Sequence, residues 1–330
     1  MTTRAASDLL ALFAAAEGGW VSGEAISRSL GVSRTAVWKQ VEALRSLGYQ
    51  VEAAPRKGYR LAVRPDLIRP EEVRTGLAAR RLGRVIEYRP TVGSTNDLAK
   101  ELARQGAPEG LLVLADQQTA GKGRLGRAWS TPPGAAIAMS LVLRPDLPLH
   151  QAPRITLAAA VAVAEAVREV ADLAAGIKWP NDVLLRGRKL CGILTEMEAE
   201  MDRVSFVVVG IGVNVGLRRE EMDPAFRETA TSLAEEGAVG VRRAALVQAI
   251  LARLEQSCDD LLAGRFPQVL DRWRALSVTL GQPVRVLGVD GLAVLEGVAE
   301  QVDEDGALLV RDYGGRVHRV FSGEVSLRPA

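Results

Sequence analysis

Residues 111–129 read LLVLADQQTAGKGRLGRAW, and the fold turns on how this stretch divides. Leu111 to Ala115 is a short unbroken apolar run, the pattern of a buried strand. Asp116 to Ala120 is polar and leads out of it. Gly121, Gly123 and Gly126 then alternate with Lys122, Arg124 and Arg127, and Trp129 closes the segment. Glycine lets a backbone approach a ligand closely. The interleaved cations face one small volume, which suits a triphosphate or its pyrophosphate leaving group. Trp129 can stack on a purine. The residue order of a Walker A loop is absent, and cations fill the variable positions of a dinucleotide fingerprint. Composition alone also accommodates a flexible basic surface loop.

On the N-terminal side, Val85 to Tyr88 reads as a strand, and Gly93-Ser94-Thr95-Asn96-Asp97 opens a helix to about Gln105. Ser94 or Thr95 is a natural N-cap. The free N–H groups of a helix start suit a carboxylate or carbonyl ligand, although a plain capping sequence has the same form. On the C-terminal side, Ile137 to Leu143 is a strand and Gln151 to Val170 an Ala-rich helix packed across a sheet. Pro180 in Lys178-Trp179-Pro180-Asn181-Asp182 prevents a continued central strand. The Asn181-Asp182 pair at a strand end can hold Mg²⁺ or a ribose. Lys189 enters the strand Lys189 to Leu194. Val204 to Gly210 is another, ending in Gly210-Ile211-Gly212-Val213-Asn214, with Asn214 where strand gives way to loop. Cys191 has no base or metal partner nearby in sequence and reads as a small buried apolar residue.

The first sixty residues have a different pattern. Ser7 is placed to cap a helix carrying Leu9, Leu12 and Phe13, and Ser22 to cap a short helix with Ala25, Ile26 and Leu30 inward. Gly31 turns the chain and Ser33 caps a third helix, whose Val37, Val41 and Leu44 form a core stripe. Its other face carries Arg34, Thr35, Trp38, Lys39 and Arg45, with Trp38 placed to be exposed or partly core. Tyr49 to Leu61 reads as two short strands around Pro55-Arg56-Lys57-Gly58. This order resembles a winged helix-turn-helix. A helix of that kind fits a major groove while cations neutralise phosphates. Residues 1–64 hold nine Lys/Arg against five Asp/Glu, a net +4, whereas all 330 residues sum to +2. Any nucleic-acid-binding patch is therefore local.

Arg64-Pro65 and Arg69-Pro70 break the chain, and a short helix is expected near Glu71 to Leu82. Helices at about 242–263 and 266–276 precede a strand-rich tail. Its strands are Val284–Leu287, Ala293–Leu295, Gly297–Ala299, Leu308–Val310 and Val317–Val320, with Asp290-Gly291 as a hairpin signal. A small SH3-like barrel follows. With 48% hydrophobic and 25% charged residues, the composition is that of a globular protein. Two cysteines, no signal-peptide pattern and an apolar run at 155–163 too short to cross a bilayer lead us to expect a cytoplasmic protein without membrane contact.

Taken in order, Ser94-Thr95-Asn96, Gln118 to Trp129, Lys178 to Asp182, Lys189 to Leu194 and Gly210 to Asn214 resemble the signature of biotin protein ligases. The winged helix resembles the bifunctional ligase–repressor subtype, and Ser322 to Arg328 is similar to that family's C-terminal domain. The resemblance implies an α+β chain. Residues 1–64 would be the DNA-binding winged helix-turn-helix and 65–84 a linker with a short helix. Residues 85–278 would be a mixed-sheet, class II synthetase-like ligase domain, and 279–330 an SH3-like β-barrel.

The same resemblance implies roles. Ser94, Thr95, Asn96 and Gln118 would contact biotin. Lys122, Gly123 and Arg124 would close over biotin and its activated intermediate, and Lys189 would lie by the biotin carboxylate. Lys189 and Arg124 are the catalytic candidates. Arg124, Arg127, Trp129, Asn181, Asp182 and Asn214 would serve ATP, with Asp182 the candidate for Mg²⁺. Ser22, Arg34, Thr35, Trp38, Lys39, Arg56 and Lys57 would face DNA. Biotin and ATP would be substrates, with no tightly bound prosthetic group. The partners would be the biotin carboxyl carrier protein of acetyl-CoA carboxylase, operator DNA and a second copy of the chain. No Ser-His or Cys-His nucleophile set is evident, which fits direct acyl transfer. One departure is Lys122, where the family usually has arginine. Lysine keeps the charge and loses the planar two-pronged donor. A biotin-sensing regulator without ligase activity and a lipoate-type ligase are the alternatives. The first would be favoured by loss of the loop cations or of Lys189, and all of these are present. The intact Gly-Lys-Gly-Arg and Lys-Trp-Pro-Asn-Asp segments argue against the second.

Overall fold

A computed structural model describes residues 3–129, 131–200, 203–288, 292–321 and 324–327. The chain forms two compact units, Met1–Leu77 with Arg242–Ala245, and Ala78–Val241 with Leu246–Ala330.

In the first unit, α1 (Thr3–Ala15), α2 (Gly23–Leu30) and α3 (Arg34–Ser46) are followed by the antiparallel hairpin β1 (Gln50–Ala54) and β2 (Gly58–Val63). Ser22 Oγ accepts from Ala25 N–H at 3.0 Å and Ser33 Oγ from Ala36 N–H at 3.2 Å, so both expected caps form. Ile26, Val37, Val41 and Leu44 meet Leu9, Leu10 and Phe13 in the core. Gly58 has φ +98°, and a Cβ there would lie 2.2 Å from Val21 O, so the hairpin docks on residue 21 only with glycine. Ser7 is not a cap. It lies inside α1, and its hydroxyl donates to Glu71 O at 3.2 Å.

The segment after the hairpin is shorter in helix than expected. α4 spans only Pro70–Arg74. Gly76 at φ +103° cannot continue it, and Thr75 Oγ1 turns back to donate to Glu71 O at 2.7 Å. Glu72 is fully buried and pairs with Arg64 at 2.7 Å and Arg242 at 2.6 Å. Tyr49 Oη also donates to it at 2.5 Å. Burial, and then the bond to Glu72, push the Tyr49 phenol well above its usual range.

The second unit is built on a seven-stranded mixed sheet in the order β3-β4-β5-β9-β8-β7-β6. Its strands are β3 (Ile86–Val92), β4 (Leu112–Gln118), β5 (Ala136–Leu143), β6 (Gly176–Lys178), β7 (Asp182–Leu185), β8 (Arg188–Glu200) and β9 (Arg203–Asn214). Only β3 and β4 are parallel. Helix α5 (Thr95–Arg104) packs on one face through Ala99 and Ala103 against Val113, Val142 and Val208. Alternation puts Gly192, Leu194 and Glu196 of β8 on the face of Gly210 and Gly212 of β9. The residues between them face the other way, where α6 (Pro153–Ala171) lies, its Thr156 Oγ1 2.9 Å from Thr195 Oγ1.

Residues 80–82, expected in a helix, instead donate their amides to Glu255 of α7 (Arg243–Leu262) at 2.7, 2.7 and 2.9 Å. Burial raises that carboxyl, but the three amide bonds outweigh it and hold it below its usual range. After α8 (Phe266–Leu276), a five-stranded antiparallel sheet follows in the order β13-β12-β11-β10-β14. Its strands are β10 (Pro283–Leu287), β11 (Ala293–Val302), β12 (Leu308–Asp312), β13 (Val317–Val320) and β14 (Glu324–Ser326). The two strands expected at 293–299 are the single strand β11. A Cβ on Gly297 would lie 2.1 Å from Arg311 O, so glycine there permits close pairing with β12. Asp290-Gly291, Ser322, Gly323 and Arg328 lie outside the described residues. Trp179 Nε1 donates to Gly306 O at 3.1 Å, tying this sheet to the β6–β7 turn. Among the described residues no helix is long and apolar enough to cross a membrane.

Candidate functional site

The start of α5 and the strands below it build a polar corner. Ser94 caps α5, its Oγ accepting from Asp97 N–H at 3.4 Å. Thr95 donates to Gln118 Oε1 twice, from N–H at 2.8 Å and Oγ1 at 3.0 Å. Asn96 Nδ2 donates to Leu194 O at 3.2 Å and Glu196 Oε2 at 2.8 Å. Ser140 Oγ sits 2.8 Å from Thr95 Oγ1 and 2.6 Å from Asn96 Oδ1. Ser94, Thr95, Asn96 and Ser140 are all buried, so this network is rigid and its polar edges are aimed.

The glycine-rich loop carries one 3-10 turn, Arg124–Gly126, and crosses the same region. Lys122 Nζ pairs with Asp97 at 2.6 Å. Burial raises the Asp97 carboxyl, but the bonds from Lys122 and then Lys100 outweigh it and hold it low. Arg124 Nη1 donates to Asn181 Oδ1 at 3.0 Å, while Asn181 Nδ2 donates to Ile193 O at 2.8 Å. Trp129 lies on the sheet, where side chains would stand were the strand residues not glycine. A Cβ on Gly212 would come 2.5 Å from the indole, and one on Gly192 would come 3.2 Å from it. Lys189 Nζ is 5.8 Å from the Trp129 ring centre and pairs with Asp182 at 2.7 Å. Asn214 Nδ2 donates to Thr231 O at 3.0 Å.

The corner, the loop and the strand ends border one cavity of about 960 Å³, with Asp97, Ser140 and Glu196 behind its wall. Ser94, Thr95, Asn96, Gln118, Lys122, Gly123, Arg124, Arg127, Trp129, Asn181, Asp182, Lys189 and Asn214, expected from sequence as site residues, come together there. The cavity holds carboxylate, carbonyl and phosphate partners side by side: amide and hydroxyl groups at one end, cations and an indole face at the other. Among the described residues no group of three or more His, Cys, Asp or Glu could cage a metal. Asp182 is thus a single carboxylate already paired with Lys189. One such carboxylate suits Mg²⁺ that is held mostly by phosphates and water.

Sequence reading missed Ser140, Glu196 and the platform of Gly192, Gly210 and Gly212. A lone serine inside the apolar run of β5, and glycines spaced by two in β9, were the available signals. It also missed Leu217, Met222 and Phe226 beyond β9, and Arg285 and Ser326 of the small sheet, which line the cavity. Cys191 is fully buried, and burial first of all pushes its thiol far above the usual range, in keeping with an inert core residue.

The first unit presents a separate candidate nucleic-acid interface. Arg34, Thr35 and Lys39 are exposed on α3, and Trp38 is 53% exposed rather than part of the core. Arg56 and Lys57 are exposed at the hairpin tip, and Ser22 at the start of α2. Lys57 and Arg60 lie 5.8 and 5.0 Å from the Trp20 ring centre, which steadies the turn end of the hairpin.

Comparison with known proteins places both regions. Residues 88–214 match the Biotin/lipoate A/B protein ligase family, residues 6–60 an HTH domain, and residues 279–328 the Biotin protein ligase C terminal domain. The chain is 41% identical over 320 residues to the bifunctional ligase/repressor BirA of Bacillus subtilis, covering 97% of this chain and 98% of that one. To the protein of the same description from Escherichia coli it is 31% identical over 322 residues, with coverage of 98% and 97%. The biotin protein ligase of Aquifex aeolicus, solved in complex with biotin and ATP, superposes with TM-score 0.64 at 28% identity. It covers 75% of this chain and all (100%) of its own.

Proposed function

We propose, because this chain belongs to the biotin protein ligase family, that the cavity of the second unit joins biotin to a carrier-protein lysine at the expense of ATP. A biotin carboxylate oxygen attacks the ATP α-phosphorus and pyrophosphate leaves, giving biotinyl-5′-adenylate. A lysine amine of the carrier then attacks the acyl carbon, and AMP leaves with the electrons of the broken C–O bond. The observation that carries the reading is the meeting of five separated motifs on one cavity with a polar end and a cationic, aromatic end.

In this reading the corner of Ser94, Thr95, Asn96 and Gln118 takes the biotin ureido ring, whose carbonyl and N–H groups need fixed donors and acceptors. Lys189 balances the biotin carboxylate. Its pairing with Asp182 keeps the ammonium in place before the substrate arrives, so little reorganisation is needed. Arg124 and Arg127 face the phosphates, and Trp129 offers its ring to adenine. Asn181, Asp182 and Asn214 complete the nucleotide side, with Asp182 contributing one oxygen to Mg²⁺ that travels with ATP. Lys122 and Gly123 shape the loop that shields the mixed anhydride from water. The carrier is the biotin carboxyl carrier protein of acetyl-CoA carboxylase.

The first unit makes the protein a repressor as well. We read α3 with Arg34, Thr35, Trp38 and Lys39 as the groove-facing helix, Ser22 and the wing residues Arg56 and Lys57 as phosphate contacts, and two copies as the form that binds an inverted repeat. Biotinyl-adenylate would act as corepressor by favouring that dimer. A reducing, cytoplasmic setting suits the two free, buried cysteines. Incubation with ATP, Mg²⁺ and biotin, followed by mass spectrometry of the bound fraction, tests the ligase reading. Biotinyl-adenylate is expected, and its absence would refute the reading.

A further inference from the structure

At the nucleotide end of the cavity, residues 229–236 form a short segment stitched to both β8 and β9. Lys189 N–H donates to Thr229 O at 2.7 Å and Thr231 N–H donates to Lys189 O at 2.9 Å, in parallel register. On the β9 side, Leu233 N–H donates to Asn214 O at 3.2 Å and Asn214 Nδ2 to Thr231 O at 3.0 Å. Thr229 and Ala230 line the cavity, while Thr231 and Ser232 are fully buried. The Thr231 hydroxyl donates to Glu236 Oε1 at 2.7 Å. Arg188 Nη2, from the start of β8, donates to the same oxygen at 2.7 Å, and Arg186 Nε lies 3.4 Å from the other. The Glu236 side chain is only 1% exposed, yet it does not line the cavity. Burying a carboxylate costs free energy that its partners must offset. Here those partners all bear on where Thr231 sits against β8.

We propose that Glu236 is a positioning residue for the nucleotide, acting through Thr231 and Asn214. The inference rests on the ligase reading above and adds the residue that sets the geometry of its ATP side. An amide has a donor end and an acceptor end, so committing Asn214 Nδ2 to Thr231 O also fixes where the Asn214 oxygen points. Glu236 holds Thr231 through its hydroxyl, and the chain Arg188–Glu236–Thr231–Asn214 carries the position from the β7–β8 turn to the cavity wall. Lys189 has other holds: its backbone pairs with Leu184 of β7, and its ammonium with Asp182. The corner of Thr95, Asn96, Gln118 and Ser140 closes on its own bonds. Loss of Glu236 therefore falls on ATP and spares biotin.

The test compares the two substrates. In Glu236→Ala, kcat/KM for ATP in pyrophosphate release should fall about ten- to hundred-fold, as for a displaced contact group. The Kd for biotin without ATP, by titration calorimetry, should stay within about two-fold. Glu236→Gln keeps an oxygen that Thr231 and Arg188 can reach, and should recover ATP kinetics to within about three-fold of wild type. Thr231→Val removes only the hydroxyl and should reproduce the ATP defect. Adding Glu236→Ala to it should cost less than about two-fold more, because the two act as one unit. Urea unfolding confirms that each variant is folded. Four results would overturn the proposal: ATP kinetics unchanged in folded Glu236→Ala, biotin affinity falling as far as ATP kinetics, Glu236→Gln as impaired as Glu236→Ala, or the effects of Thr231→Val and Glu236→Ala multiplying in full. If Glu236→Ala does not fold, Thr231→Val alone decides, and a normal KM for ATP there overturns the proposal. Wild-type protein that makes no adenylate would instead remove the ligase reading itself.

Discussion

Replacing Gly212 with alanine tests whether the glycine platform serves the nucleotide end of the cavity. The new Cβ would stand 2.5 Å from the Trp129 indole, where ordinary contact begins near 3.4 Å. The ring must therefore move by roughly 1 Å, a displacement that can cost about a hundred-fold when it misplaces a reacting group. Trp129 sits on a loop and is only half-buried, so the movement need not disturb the core. Its indole N–H is buried with no partner among the described residues, so no bond resists the shift. We expect kcat/KM for adenylation to fall about 10- to 100-fold, equivalent to about 1.4–2.7 kcal/mol. Stability should change by less than about 0.5 kcal/mol, as for a surface substitution. Pyrophosphate release at varied ATP and biotin gives the first quantity and urea unfolding the second. Unchanged adenylation kinetics in a normally folded variant would refute the placing of Trp129 at the nucleotide.

Three further outcomes are expected. Lys189→Ala should cut pyrophosphate release about 10²–10³-fold, the scale of losing one preorganised electrostatic contact; near-normal release would remove its assigned role. Arg34→Ala and Lys39→Ala should each weaken operator binding in a gel-shift titration and lower the salt slope by about 1 if the side chain meets a phosphate; binding unaffected by both would contradict the α3 interface. Glu255→Gln should destabilise by about 1–3 kcal/mol at neutral pH. Because the folded carboxyl is held low, its stabilisation is present above the ordinary carboxylate range and is lost as pH falls through the folded value. The variant should therefore lose less stability on acidification than wild type, as measured by thermal midpoints between neutral and acid pH. An equal loss would argue against this linkage.

Much of the architecture could be read locally because local chemistry decides it. Ser22 and Ser33 cap through amides three residues away, and the α3 stripe of Val37, Val41 and Leu44 follows from helical period alone. The cavity's glycine-rich loop and the motifs flanking it were legible as ordered polar clusters. Their partners were not. Asn96 meets Glu196, one hundred residues on, and Ser140 reaches back forty-four residues to Asn96. Gly192, Gly210 and Gly212 carry no chemistry of their own and matter only because Trp129 and Asn96 occupy the space that their side chains would fill. The cap assigned to Ser7 failed because its hydroxyl has a long-range acceptor in Glu71. The helix expected to Leu82 stops at Arg74 because Gly76 and the Glu255 carboxylate supply another conformation.

In the proposed function, one cavity activates biotin with ATP and hands it to a lysine. Intact-mass analysis of the carrier protein after incubation with this protein tests it most directly. One added biotinyl group is expected, one that requires both ATP and biotin and disappears when the acceptor lysine is replaced by arginine. Carrier left unmodified under these conditions, or modified without ATP, would contradict it.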